Sequence, residues 1–208
     1  MTDPTYTALL LIVDRSGSMQ TIREDMIGGL NALIAEQSAE EGRLTVDIVT
    51  FDDEIEQQCT LADPASVTVV LDPRGSTALY DAIGVAVTRF GRTLSAMPEA
   101  ARPGVVQVVV VTDGEENASR EYRADKVRAL VTRQSETYGW DFAFLGANQD
   151  AVLTGAALGF DADSSMTYAP SPDAVGSVSR SMSRYMKDVR SSTKRGFDAG
   201  ERDAAGGE

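Results

Sequence analysis

A chain of 208 residues, 42% of them hydrophobic, is the size of a single α/β domain and long enough to close its own core. Acidic residues outnumber basic ones 32 to 19, and the resulting formal charge of −13 argues against nucleic acid as a main partner while suiting a cation. Histidine is absent, which excludes imidazole acid–base chemistry, the Ser-His-Asp triad and most zinc sites; the lone Cys59 excludes an internal disulfide, so a metal here must be held by oxygen.

The N-terminal segment MTDPTYTALLLIVD holds an apolar run as long as a signal-peptide core, but no basic residue precedes it. No stretch nears the roughly 20 apolar residues of a membrane span, and a cytoplasmic location is expected. The run Ala8–Asp14 reads as a first strand, nearly continuous in branched and aliphatic residues and hence covered on both faces. Ile22, Met26, Leu30, Leu33 and Gln37 then recur at helical spacing, with Ser18 as an N-cap and Gly42 beyond the end. Leu44–Asp52 is a second strand, and Ile55–Leu61 can fold back on it through FDDE as an antiparallel edge hairpin. Ser76–Leu94 reads as a helix with Leu79, Ile83, Val87, Phe90 and Leu94 inward. Val105–Asp113 repeats the buried-strand pattern, followed by a helix over Glu121–Gly139, a strand over Trp140–Asn148 and a short helix over Gln149–Phe160. SSMTYA is a last short strand. Ser171–Ser192 is a last helix, with Val175, Val178, Met182, Met186 and Val189 on one face. The residues up to 195 form one domain in this reading, and the acidic, glycine-rich tail 196–208 has little to bury and is expected to be disordered.

Strands alternating with helices predict a Rossmann-like, doubly wound, mostly parallel sheet of about six strands with helices on both faces. Such sheets bind ligands beyond the carboxyl ends of their strands. Asp14 closes the first strand and Asp113 closes VVVVTD, so the two belong on one rim. In DRSGSM, Asp14, Ser16 and Ser18 alternate, offering a carboxylate and two hydroxyls to a hard cation such as Mg2+, which takes about six oxygens near 2.1 Å. The same residues also suit a plain turn that caps a helix.

Three separated motifs resemble the von Willebrand factor A domain family and its metal-ion-dependent adhesion site. DRSGSM matches the family's D-x-S-x-S, RGSTALYDAI supplies the threonine as Thr77, and VVVVTDGEEN supplies the strand-end aspartate as Asp113. The resemblance runs from about Thr7 to Ser192. It implies strand order 3-2-1-4-5-6 with strand 3 antiparallel at an edge. It implies a metal site of Asp14, Ser16, Ser18, Thr77 and Asp113, with the three hydroxyls touching Mg2+ (Mn2+ or Ca2+ as alternatives) and the carboxylates acting mostly through water. It further implies a non-enzymatic module that captures an Asp or Glu carboxylate of a protein partner. Family members inside bacterial cells often serve as scaffolds or as partners of ATP-driven remodelling machines, and the latter give one expected class of partner.

The rival reading is a Mg2+-dependent phosphohydrolase or phosphotransfer enzyme with Asp14 as nucleophile. Such enzymes place a second acid two positions on, where this chain has Ser16. No G-x-G-x-x-G follows the first strand and no G-x-x-x-x-G-K-[ST] occurs anywhere. Asp81, one turn into the second helix, is read either as orienting the site or as a solvated helix residue. Glu115 and Glu116 are read as exposed loop charges, Asp52 and Asp53 as a hairpin turn outside the site, and Asn148, Gln149 and Asp150 as the cap of the next helix. Arg180, Arg184, Lys187, Arg190 and Lys194 form a basic stripe, read as a solvated face.

Overall fold

The computed structural model describes residues 1–147 and 149–206 and builds one six-stranded sheet from them. The strands are β1 (Asp3–Asp14), β2 (Arg43–Phe51), β3 (Ile55–Ala62), β4 (Pro103–Thr112), β5 (Asp141–Ala147) and β6 (Ser165–Tyr168), in the order β3-β2-β1-β4-β5-β6. β3 runs antiparallel to β2 and every other pairing is parallel. This is the Rossmann-like α/β architecture that the alternation of strands and helices pointed to, with the strand order that the family resemblance implied. β1 starts earlier than its apolar run because Asp3 pairs with Pro103 across a register shift, and those first residues are not fully buried.

Among the described residues six α-helices cover the two faces. Along β1 the alternation decides which: Leu9, Leu11 and Val13 face one cluster, and Ala8, Leu10 and Ile12 the other. On the first face lie α1 (Arg23–Ser38), α5 (Pro172–Arg190) and α6 (Ala199–Gly206); on the second lie α2 (Leu79–Ala96), α3 (Ala124–Tyr138) and α4 (Ala151–Ala157). The predicted inward residues of α1 and α2 are all buried. Gln37, the polar member of the α1 stripe, donates to the Ser183 carbonyl of α5 at 3.0 Å and so makes its burial tolerable.

Two expectations are corrected and a third holds in part. Ser18 does not cap α1; Gly17–Thr21 forms a separate 3-10 turn ahead of it, and the Ser18 hydroxyl points elsewhere. The tail is helical through Gly206, with Phe197 and Ala205 buried against β6 and α5; Gly207 and Glu208 lie outside the described residues. Short apolar insertions of this kind fall below what composition reveals. Of the basic stripe, Arg180, Lys187 and Lys194 are exposed as expected, the last two pairing with Glu40 and Asp141, while Arg184 pairs with Asp188 and Glu201 and Arg190 donates to the Gln37 and Glu41 carbonyls.

A bulge in β3 opposite β2 leaves the Leu61 N–H without a ladder partner, and Asp47 accepts it at 2.7 Å. Burial pushes the Asp47 carboxyl up from 3.8 to about 6, against the lowering effect of that bond. A raised carboxyl binds its proton more tightly in the folded state, so this group's contribution to stability falls as pH rises between those values. Asp47→Asn keeps an oxygen for Leu61 and removes the charge. It is expected to stabilise the protein by about 1–3 kcal/mol near neutral pH, with the difference shrinking near pH 4. Urea unfolding at both pH values checks this.

Candidate functional site

Because β1 and β4 are adjacent and parallel, Asp14 and Asp113 emerge side by side at the carboxyl edge of the sheet. Asp14 is fully buried. Its Oδ1 accepts the Ser16 N–H at 2.6 Å and its Oδ2 accepts the Thr112 hydroxyl at 2.6 Å. The first bond makes a side-chain turn that bends the chain back over the strand end. Ser16 and Ser18 then lie with their hydroxyl oxygens 3.1 Å apart, and Ser18 Oγ donates to Asp113 Oδ1 at 2.6 Å.

Thr77 arrives from the loop before α2. Its N–H donates to Asn117 Oδ1 at 2.9 Å, and its carbonyl accepts the Asn117 and Ala118 N–H groups. Gly114 shows where the oxygens converge. A Cβ built on it would lie 2.7 Å from Thr77 Oγ1 and 3.6 Å from both Asp14 Oδ2 and Ser16 Oγ. Any side chain there would crowd the space they share. The structure therefore brings all five sequence-predicted residues together, three around Gly114 and two through the Ser16–Ser18–Asp113 chain of contacts.

Charge at this rim is costly. Burial pushes the Asp14 carboxyl up to about 6, working against the Thr112 and Ser16 hydrogen bonds, and the nearby Asp113 adds to the rise. Burial also raises Asp113, and the Ser18 bond opposes it. Beneath them Tyr168 donates to the Thr112 carbonyl at 3.4 Å, its own hydroxyl pushed upward by burial and by both aspartates. Among the described residues no Lys or Arg pairs with Asp14, and no group of three or more His, Cys, Asp or Glu side chains is placed to hold a metal. The oxygens on offer are two carboxylates and three hydroxyls.

Several residues that hold this arrangement were read otherwise from the sequence. Asp52 is more than a hairpin residue. Fully buried, it accepts Arg74 Nε at 2.8 Å and pairs with Arg15 Nε at 3.2 Å, while its carbonyl accepts the Ala78 N–H at 2.9 Å. It thus ties the end of β2 to both site loops. Burial pushes the Asp52 carboxyl up, but the Glu54 N–H, Arg74 and Arg15 outweigh it and hold it below the ordinary carboxylate range. Gly75, between Arg74 and Thr77, has φ +66, and a Cβ there would meet Asp53 Oδ1 at 2.1 Å. Asp81 neither faces the site nor is solvated; it accepts the Arg120, Glu121 and Tyr122 N–H groups. Glu116 is likewise structural, accepting Tyr80 N–H at the start of α2 and Ser119 N–H within its own loop. α2 and the loop after β4 therefore cap one another. Glu115 is exposed, as expected. Asp150 caps α4 by accepting Val152 and Leu153 N–H, Gln149 donates to the Gly114 carbonyl at 3.0 Å, and Asn148 lies outside the described residues. An Asx or Glx side chain near a strand end signals such backbone caps, but only spacing in three dimensions tells which loop it serves.

No protein-family model matches the chain, and no curated protein sequence matches it. Solved structures do. Proximal thread matrix protein 1 from the mussel byssus superposes with TM-score 0.63 at 13% identity, over 86% of this chain and 45% of that one. A von Willebrand factor type A protein from Catenulispora acidiphila gives 0.55 at 17%, over 87% and 42%. The manganese-loaded TRAP protein of Plasmodium vivax gives 0.51 at 18%, over 69% and 57%. The mussel protein has also been solved with a zinc-occupied metal-ion-dependent adhesion motif, a match at 0.56 and 17% over 90% of this chain and 46% of that one. The chain spans less than half the length of the first of these relatives. It has the von Willebrand factor A fold.

Proposed function

We propose that the chain is a divalent-cation-dependent binding module that captures an Asp or Glu carboxylate of a protein partner at Asp14, Ser16, Ser18, Thr77 and Asp113. The observation that carries this is the convergence of the Asp14 carboxylate and the Ser16 and Thr77 hydroxyls on the space left by Gly114, with Ser18 and Asp113 joined to them through the Ser16–Ser18–Asp113 contacts. Hard oxygen donors fit Mg2+, with Mn2+ or Ca2+ as alternatives. A buried Asp14 with no basic partner among the described residues fits an external positive charge as well, because a cation would offset the cost of its desolvation. The metal-loaded states of the zinc-bound mussel protein and the manganese-bound TRAP protein support the same reading.

When bound, a divalent cation supplies positive charge and a position for an outside oxygen. Ser16, Ser18 and Thr77 would hold it with neutral atoms, which leave that charge largely unquenched. Asp14 and Asp113 would orient the hydroxyls and supply compensating charge. Thr112 and Asn117 fix Asp14 and Thr77 in place. Both oxygens of Asp14 are already engaged by protein donors, which suits a carboxylate that shapes a site better than one that attacks a phosphoester. An ATP-driven machine as partner rests on the sequence resemblance and a cytoplasmic setting on the reading of the N-terminal apolar run; among the described residues no helix is long and apolar enough to cross a membrane.

Thermal unfolding tests the site. Metal at a hundredfold its Kd is expected to add about 2.7 kcal/mol of stability. Thr77→Ala removes one oxygen and is expected to abolish most of that gain. No shift with Mg2+ or Mn2+, or a full shift in Thr77→Ala, overturns the site. Capture of partners from native lysate with Mg2+ and their release by EDTA tests the module's role.

A further inference from the structure

The opposite end of the sheet carries a cleft that the candidate metal site does not use. It lies between α2 and α3, where β1 and β4 begin, with a cavity volume of about 530 Å³. Small-molecule sites typically span about 300–1,000 Å³. Its floor is apolar: Leu94, Val106 and Trp140, the last packed edge-on against Phe90 with ring centroids 5.6 Å apart. Tyr138, a large aromatic residue left 56% exposed, stands at the cleft.

The charge of the cleft is opposite to that of the chain. Arg92, Arg102 and Arg133 line it, and no Asp or Glu does among the described residues. Among the described residues none of the three takes part in an ion pair. Arg102 is held rigidly, donating through Nε to the Met97 carbonyl at 2.9 Å and through a terminal nitrogen to the Ser95 carbonyl at 2.7 Å. Glu99, whose carboxyl senses Arg102, is paired with the Met1 ammonium. Three cations beside an aromatic floor, in a molecule of net charge −13, form a local exception. A planar ring stacks on aromatic and guanidinium faces, and an acidic group on that ring would meet the arginine forks.

We propose that this cleft binds a small aryl acid, a flat aromatic compound bearing one or two anionic groups. Gly91 marks the entry. A Cβ built on it would meet Trp140 Cη2 at 3.6 Å and Gln134 Nε2 at 3.8 Å, ordinary contacts that leave the rest of a side chain to project toward the space a ligand would take. The site is separate from the rim of Asp14, so its occupation does not depend on metal.

Trp140 is the chain's single tryptophan, which makes its emission a local reporter. Anilinonaphthalene sulfonate, titrated into the full chain with EDTA present, is expected to quench Trp140 saturably with one molecule per chain. Phenylnaphthylamine, the same skeleton without the sulfonate, is expected to bind about tenfold more weakly, and the Arg92→Ala/Arg133→Ala pair about tenfold more weakly for the sulfonate. Gly91→Leu fills the cleft and replaces a helical glycine; it is expected to keep or raise the melting temperature while abolishing quenching. Equal binding of the charged and neutral probes overturns the proposal. So does unchanged quenching in a folded Gly91→Leu.

Discussion

Asp14→Asn is expected to make the metal-free protein more stable at neutral pH while destroying its response to metal. The two effects have one cause. Asp14 is buried, and burial raises its carboxyl from 3.8 to about 6. Between those values the folded state binds the proton more tightly than the unfolded chain, so stability declines as pH climbs through about 6 and the deficit is complete above it. Asparagine keeps an acceptor for the Ser16 N–H and carries no charge, so it should recover about 1–3 kcal/mol near pH 7. A cation needs the ionised form. Wild-type affinity for Mg2+ is therefore expected to weaken as pH falls below about 6, and metal should flatten or reverse the wild type's preference for mildly acidic pH. Urea unfolding of both proteins between pH 5 and 8, with and without Mg2+, reads all of this. A destabilised Asp14→Asn that still responds to metal would refute the assignment of Asp14.

Asp52→Ala is expected to have the largest structural cost, about 3–5 kcal/mol, the range for breaking a buried ion pair by removing one partner. Arg15, whose side chain is only 7% exposed, would keep Glu56 alone. Two of its guanidinium nitrogens already lack a hydrogen-bond partner among the described residues. Arg74 would lose its hold on the loop leading to Thr77. The variant should thus lose metal affinity although Asp52 is not among the five site residues. Equilibrium unfolding and a Mg2+ titration, compared with Asp52→Asn, separate the effects. Asn retains an acceptor for the Glu54 N–H and should recover part of both. Stability lost with metal affinity intact would mean that the Thr77 loop is held by Asn117 and Ala78 alone.

The strands could be read from the sequence because parallel strands buried on both faces leave nearly continuous apolar runs such as ALLLIVD and VVQVVVV, and their terminal aspartates announced the rim. That the five proposed site residues would meet was legible for a related reason. Alternate side chains leaving a strand end share one side of the chain, and the Thr77 motif completed a known order. What stayed hidden was support from a distance. Nothing local in LYDAIG or FDDE tells that Asp81 serves the backbone at 120–122, or that Asp52 bridges two arginines 37 and 22 positions away in the chain. Ser18 illustrates the limit from the other side. Its type and position fit a helix cap, and only the proximity of Asp113 assigns its hydroxyl elsewhere. The tail was misread because its anchors, Phe197 and Ala205, are too few to register against acidic and glycine-rich neighbours.

That tail has an effect beyond its own ordering. α6 lies along β6, the last strand on its side of the sheet; the Ala205 carbonyl takes the Ala169 N–H at 2.8 Å, and Arg202 donates to the Ser165 carbonyl at 2.7 Å. One carbonyl of β6 and the N–H just past its end are thereby occupied from within. A chain clipped ahead of Gly196 would expose a sticky border, and self-association by strand pairing would start from there rather than from any failure of the interior.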